Sequence, residues 1–357
     1  MTSDENVHIR KLAERSGMAH SKAFLKILER AVTDAEAEFM LALPASFDEV
    51  AAKFNMDAKA VEEKILDLAQ RGVLSRNPDK LSPEKFQFTN IAAILHDNIL
   101  SSAPRYIPED MPGLWMDLYK GEQWWKEIGG FYEFFQEPIL RVIPAEKSLP
   151  PGQSLMSCES ITEIIEANRE LITIRNCCCR TMGEETCHHP REVCMQFKGR
   201  AEFDVYRGSG RKVSADEAFT IALSAVGAGL VPTATNISLT DNLEFICFCC
   251  SCACMVLDPG LRTGSLPKIM APSRFEAEIN VEKCNGCNYC VSRCQFRAIE
   301  MKPVPGHDGM KAVLDPEKCY GCGVCELSCI PGAIKMVEDR PRDFIPQGVK
   351  DEQILHF

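Results

Sequence analysis

Eight cysteines near the C-terminus are spaced for metal chemistry. Cys284, Cys287, Cys290 and Cys294 recur as Cys319, Cys322, Cys325 and Cys329, each displaced by 35 residues, so both copies read C-x2-C-x2-C-x3-C. The flanks repeat as well: Glu282-Lys283 matches Glu317-Lys318, Gly286 matches Gly321, Ala298-Ile299 matches Ala333-Ile334, and Met301 matches Met336. Thiolates are soft ligands that suit zinc or iron with sulfide. Zinc fits poorly here, because a tetrahedral site takes two separated C-x2-C pairs and leaves the third closely spaced cysteine of each copy without a role. Ten more cysteines form two bursts in the middle of the chain: Cys177, Cys178, Cys179, Cys187 and Cys194, then Cys247, Cys249, Cys250, Cys252 and Cys254. Cys158 stands alone and reads as a small buried hydrophobe.

The wider composition narrows the chemistry further. The chain has 357 residues and 19 cysteines, an odd number, with none before Cys158. A disulfide scaffold would instead spread its bridges through a short secreted chain. Met1 to Lys11 is polar and carries no apolar leader core, so reduced thiols and a cytoplasmic location are expected. No apolar run reaches 18 residues, so no membrane span is expected. The net charge of -11 leaves no basic surplus for a phosphate backbone, which makes nucleic acid a disfavoured partner.

The duplicated segment is very similar to bacterial two-cluster ferredoxins, whose ligand run it repeats. Three thiolates two residues apart can curl around one face of a cubane, and Gly286, Gly321 and Gly323 let backbone N–H groups approach the sulfides. The resemblance implies a crossed ligand set. Cys284, Cys287, Cys290 and Cys329 would hold one [4Fe-4S] cluster, and Cys319, Cys322, Cys325 and Cys294 the other. Two departures stand out: Gln295 replaces the usual proline after the last cysteine of the first copy, and in the second copy Pro331 follows Ile330.

The central bursts are expected to bind one or two further clusters. Cys177, Cys179, Cys187 and Cys194 supply four soft ligands for a third cluster, with Cys247, Cys249, Cys250, Cys252 and Cys254 as further ligands. On a regular strand Cys247 and Cys249 would face away from Cys250, Cys252 and Cys254, so a loop folded around metal, or two centres, is expected. By the same parity Cys178 turns away from Cys177 and Cys179. Arg180 either donates to cluster sulfides or pairs with Glu184 or Glu185. His188 and His189 are left out of the ligand set.

The elements that must carry these residues give an α+β multidomain chain. Residues 1–100 read as a winged-helix-like domain, 101–156 as an aromatic-rich helical connector, 157–272 as a central Cys-rich α/β-irregular domain, 273–340 as a ferredoxin-like domain and 341–357 as a tail. A long helix is expected over Ser21–Leu43, then Phe47–Phe54 behind a Ser46/Glu49 capping box, then Ala58–Arg71 capped by Asp57. A hairpin should follow through Asn77-Pro78-Asp79, and this pattern resembles a winged helix-turn-helix. Its would-be recognition helix carries Asp57, Glu62, Glu63 and Asp67, and residues 1–100 hold 13 basic and 16 acidic side chains, so docking or dimerisation is expected in place of DNA binding. Ser214 with Glu217 should open another helix, ending near Gly227.

The whole chain also resembles a group of multidomain bacterial and archaeal iron–sulfur proteins. Its Val142-Ile143-Pro144 to Pro150-Pro151-Gly152 segment, C-x-C-R burst, Cys-x-Cys-Cys-x-Cys burst and ferredoxin tail carry the likeness, chiefly at the cysteines. That resemblance implies electron transfer in anaerobic metabolism, as a subunit or partner of an oxidoreductase complex, with a flavoprotein or metalloenzyme subunit as redox partner. Two alternatives stay open: a redox-sensing winged-helix regulator, and a reductase with catalysis at the central cluster. No nucleotide, flavin or haem motif is visible.

Overall fold

Capping residues decide where the first helices begin. The computed structural model describes residues 6–76, 86–151, 153, 155–238 and 243–346. Ser46 and Glu49 close a capping box on Phe47–Phe54, and Asp57 accepts from the Ala60 N–H to start Ala58–Gln70. The single helix expected over Ser21–Leu43 is instead two, Lys22–Ala31 and Asp34–Leu41. Thr33 and Glu36 form a second capping box there, and satisfying the orphan N–H groups of a new helix turns Val32 and Thr33 extended. Strand β1 (Leu74–Arg76) pairs antiparallel with β2 (Phe86–Phe88), while the expected turn Asn77-Pro78-Asp79 lies outside the described residues.

The aromatic segment packs into the core of these helices. Trp115 is fully buried and meets Phe24, His96 and Trp124. Cys178, Met182 and Met255 reach the same core from the central part of the chain. Phe131 and Phe134, by contrast, stay exposed.

A seven-stranded sheet forms the centre. Its strands are β3 (Leu140–Val142), β4 (Ile172–Asn176), β5 (Glu192–Phe197), β6 (Arg211–Val213), β7 (Val231–Thr235), β8 (Phe245–Cys249) and β9 (Met270–Ala271), in the order β6-β4-β5-β8-β7-β3-β9. All neighbours are antiparallel except β3 and β9. The sheet therefore takes β3 from the segment read as a connector. Helices Ile161–Ala167 and Ala215–Gly227 pack on it, joining Ile164, Ile165, Ala218 and Ala222 with Ile174, Met195 and Ile246 in one buried layer. Fully burying each large aliphatic side chain contributes about 1.5–3 kcal/mol.

The sheet is fixed to its neighbours by buried arginines. Arg175 of β4 reaches Asp97 at 2.7 Å and Ser101 at 2.9 Å, and Arg207 reaches Ser101 at 2.8 Å. On the other side Arg274, fully buried, holds Glu159 at 2.8 Å and also pairs with Glu338. Beyond it, β10 (Phe275–Ile279) pairs with β13 (Ile334–Glu338) and β11 (Ile299–Pro303) with β12 (Met310–Leu314), both antiparallel.

Glu36 provides a test of the helical part. Burial opposes its charge, but Arg71 at 2.7 Å, Lys64 at 2.6 Å and the Thr33 N–H outweigh that and lower its pKa from 4.5 to about 2. A depressed carboxylate stabilises the fold fully above pH 4.5, and that stability is lost as pH falls towards 2. Glu36→Gln should therefore lower unfolding stability at pH 7 by about 2 kcal/mol and flatten the pH dependence across that acid window, measured by urea unfolding.

Candidate metal centres

The duplicated segment folds into two cavities, each walled by four cysteines. Cys284, Cys287, Cys290 and Cys329 line one, and Cys294, Cys319, Cys322 and Cys325 line the other. The fourth cysteine of each copy thus lies on the other copy's cavity. Short helices place it there: Tyr289–Arg293 and Val324–Leu327 contain the third cysteine of each copy, Cys290 and Cys325, and carry the chain across. The crossing thiols then accept backbone N–H groups four residues on, Ala298 to Cys294 at 3.3 Å and Ala333 to Cys329 at 3.2 Å.

The backbone repeats even where the side chains do not. Left-handed φ recurs at Gly286 and Gly321, at Asn288 and Gly323, and at Arg297 and Gly332, each pair 35 residues apart. At Gly321 glycine is obligatory for space too, because a Cβ would lie 2.0 Å from the Phe275 carbonyl oxygen. Burial pushes the Cys290 thiol up to about 11 and Cys322 up to about 12. Without a cation these groups stay protonated at neutral pH, so a positively charged metal is what would hold them as thiolates. Four soft donors around one cavity, with N–H groups aimed at sulfur, suit an iron–sulfur cluster.

The central cysteines converge because β4, β5 and β8 are sheet neighbours. Cys177 follows β4, Cys194 lies on β5, and Cys247 and Cys249 lie on one face of β8, after which the chain leaves the strand and turns. Hydrogen bonds join Cys177 to Cys178 and Cys179, Cys179 to Cys254, Cys254 to Cys249, and Cys194 to Cys247. Those bonds hold Cys177 and Cys254 well below the usual thiol range, so they are the preferred thiolates of this network. Cys178 also donates to the Asp97 carboxylate.

Cys187 lies elsewhere. It meets Cys250 at 3.7 Å and Cys252 at 3.1 Å, so the four residues grouped from the first burst are divided between two places. Arg180 sits between them, 1% exposed, donating to the Phe248 carbonyl at 2.8 Å and lying 3.8 Å from the Cys250 sulfur. Glu184 pairs with Arg191 instead. Cys158 is buried away from both groups, its carbonyl accepting from Arg141.

Gln295 is a connecting residue whose role the spacing did not reveal. Its side-chain oxygen accepts from the Ser251 N–H at 2.7 Å and hydroxyl at 2.9 Å, and its nitrogen donates to the Gly229 carbonyl at 3.0 Å. Ser251 lies between Cys250 and Cys252, and Gln295 follows Cys294, so the central turn and the second cavity are bonded together. Stacked Phe296 and Tyr320, with centroids 4.4 Å apart, share a buried core with Cys249, Cys254 and Cys322. The only sequence signal was a glutamine where the ferredoxin pattern carries proline.

Comparison with known families decides the nature of the duplicated segment. Residues 283–333 match the family of 4Fe-4S dicluster domains. No curated protein and no solved structure matches the chain. The dicluster domain points to [4Fe-4S] clusters and suggests iron–sulfur electron transfer. No helix of the described residues is long and apolar enough to cross a membrane. Replacing Cys294 by serine should remove about four irons, the content of one cubane, and leave the cavity of Cys284, Cys287, Cys290 and Cys329 loaded, as read by iron and sulfide content of anaerobically purified protein.

Proposed function

We propose that the protein transfers electrons within an anaerobic oxidoreductase complex, with a flavoprotein or metalloenzyme subunit as partner. Cys284, Cys287, Cys290 and Cys329 hold one [4Fe-4S] cluster, and Cys319, Cys322, Cys325 and Cys294 hold the other. Cys177, Cys179, Cys194, Cys247, Cys249 and Cys254 hold a further iron–sulfur centre in the sheet. The observation that carries the reading is the crossing of the fourth cysteine, which gives two four-thiol cavities inside one small domain. Bound there, the clusters supply one-electron acceptance and release.

The surroundings of the two cavities differ, and this gives the domain a direction. The Cys294 side is joined through Gln295 and the Phe296–Tyr320 stack to the central cysteines. The Cys284 side faces solvent, with Cys287 exposed, Tyr289 59% exposed and Ile330 98% exposed. A redox partner would dock at this outward face. With a net charge of -11, made more negative by cluster-bound thiolates, the protein would be met by basic patches on that partner.

The helices and hairpin of the first hundred residues act as a winged-helix-like docking module in this reading. On helix Ala58–Gln70, Glu62 and Glu63 are exposed, while Lys64 and, just past its end, Arg71 are both engaged by Glu36. Few cations are left there to meet a phosphate backbone. A gel-shift titration on genomic fragments at low salt should show no tight sequence-selective binding; finding it would favour the redox-sensing regulator instead.

Iron and sulfide counting with EPR during stepwise reduction tests the main reading. More than about eight irons per chain is expected, with two interacting cubane signals and a third set. About eight irons would remove the central centre, and fewer than about eight would remove the paired clusters. A central signal that changes on adding a small reducible substrate would shift the reading to a reductase.

A further inference from the structure

Cys187, Cys250 and Cys252 stand apart from every other thiol group in how closely they are drawn together. Their three sulfurs lie within 4.8 Å of one another, and among the described residues no other set of three His, Cys, Asp or Glu ligand atoms is so compact. Cys187 lies 3.7 Å from Cys250 and 3.1 Å from Cys252. Two thiolates on one tetrahedral zinc ion, each about 2.3 Å from the metal, are about 3.8 Å apart. Both of the Cys187 separations lie at or below that edge, and the third is within 4.8 Å. A cubane, in contrast, binds each thiolate to a different iron and spreads them wider, as the four-cysteine cavities of the duplicated segment do.

We infer that Cys187, Cys250 and Cys252 bind a single zinc ion, separate from the iron–sulfur clusters, with its fourth position left to solvent or a small exogenous ligand. The inference does not depend on the electron-transfer reading. Three thiolates with an open fourth position is the arrangement of zinc sites that exchange ligands, whereas structural sites are closed by four protein ligands. Among the described residues no fourth Cys, His, Asp or Glu closes this one. Cys187 and Cys250 are buried and Cys252 is exposed, so the open position faces outward.

The surroundings suit an anionic centre. Arg180 lies 3.8 Å from the Cys250 sulfur, and its Nε and Nη2 are buried without hydrogen-bond partners among the described residues. A zinc ion with three thiolates carries a net negative charge, which the adjacent guanidinium offsets. The His189 backbone N–H donates to Cys187. Ser251, between two of the three cysteines, is fixed by Gln295, so the turn is held in place by groups outside the site.

Metal analysis of the full chain, purified anaerobically with its clusters, tests the inference. About one zinc per chain is expected beside the iron. Zinc X-ray absorption should show three sulfurs near 2.3 Å and one lighter atom near 2.0 Å. Cys252→Ser, at the exposed position, should reduce zinc retention at least tenfold under mild chelation while iron, sulfide and cluster EPR stay unchanged. Cys252→His restores a donor and should restore zinc. Imidazole added to the wild-type protein should enter the fourth position and alter the absorption edge. A chain without zinc, four sulfurs around the zinc, or a Cys252→Ser variant that loses iron and sulfide in place of zinc would each overturn the inference. These outcomes are independent of whether the cubanes reduce as expected, so the two readings fail separately.

Discussion

The architecture depends on one constraint: each cavity of the duplicated segment is completed by a thiol from the other copy. Neither copy alone surrounds its cavity, so both must fold in register together. The pairing of β10 with β13, which joins the start of the first copy to the end of the second, is the hydrogen-bonded form of that requirement. The two crossing helices are only a turn or so long, and the cysteine each delivers lies within two residues of its end. Their shortness leaves little freedom for the thiol to fall elsewhere, because only four residues separate each cysteine from β11 or β13.

A second convergence is built by the sheet. The central bursts are more than fifty residues apart in the chain, yet antiparallel pairing of β5 with β8 brings Cys194 alongside Cys247. The chain then turns at the end of β8: Cys247 and Cys249 on the strand join the buried network, Cys250 and Cys252 in the turn leave it for Cys187, and Cys254 comes back to Cys249 and Cys179. Cys250 is the branching residue. Its backbone leaves the sheet, and its sulfur meets Cys187, which has left β4 by another route.

Much of this was legible in the residues themselves. The 35-residue repeat, the capping boxes at Ser46 and the cap at Asp57 are local patterns, and local patterns survive folding. The Thr33-Glu36 cap is equally local, but it lies inside the stretch expected as one helix over Ser21–Leu43. The division of Cys187 from Cys177 and Cys179 was not legible, because strand order is set by pairing between distant segments and leaves no periodic trace. Parity on β8 set Cys247 and Cys249 against Cys250 and Cys252, but it misplaced Cys254, which returns to Cys249 because the strand has ended and the chain has turned. Gln295 was visible as a departure from a pattern, but its partner Ser251 could be found only from the packed chain.

Position 295 of the first copy and position 330 of the second are equivalent under the repeat, and their fates are opposite. Gln295 is 7% exposed and bonded to the central turn, whereas Ile330 is 98% exposed. A duplication begins with two interchangeable halves. Here one side chain in each copy records that they no longer are: exchanging the two would bury an isoleucine where two donors need an acceptor, and leave a glutamine in water with nothing to hold. The segment has therefore lost its two-fold equivalence at this pair of positions while keeping it at all eight cysteines, so duplication and commitment to one orientation can be read from neighbouring residues.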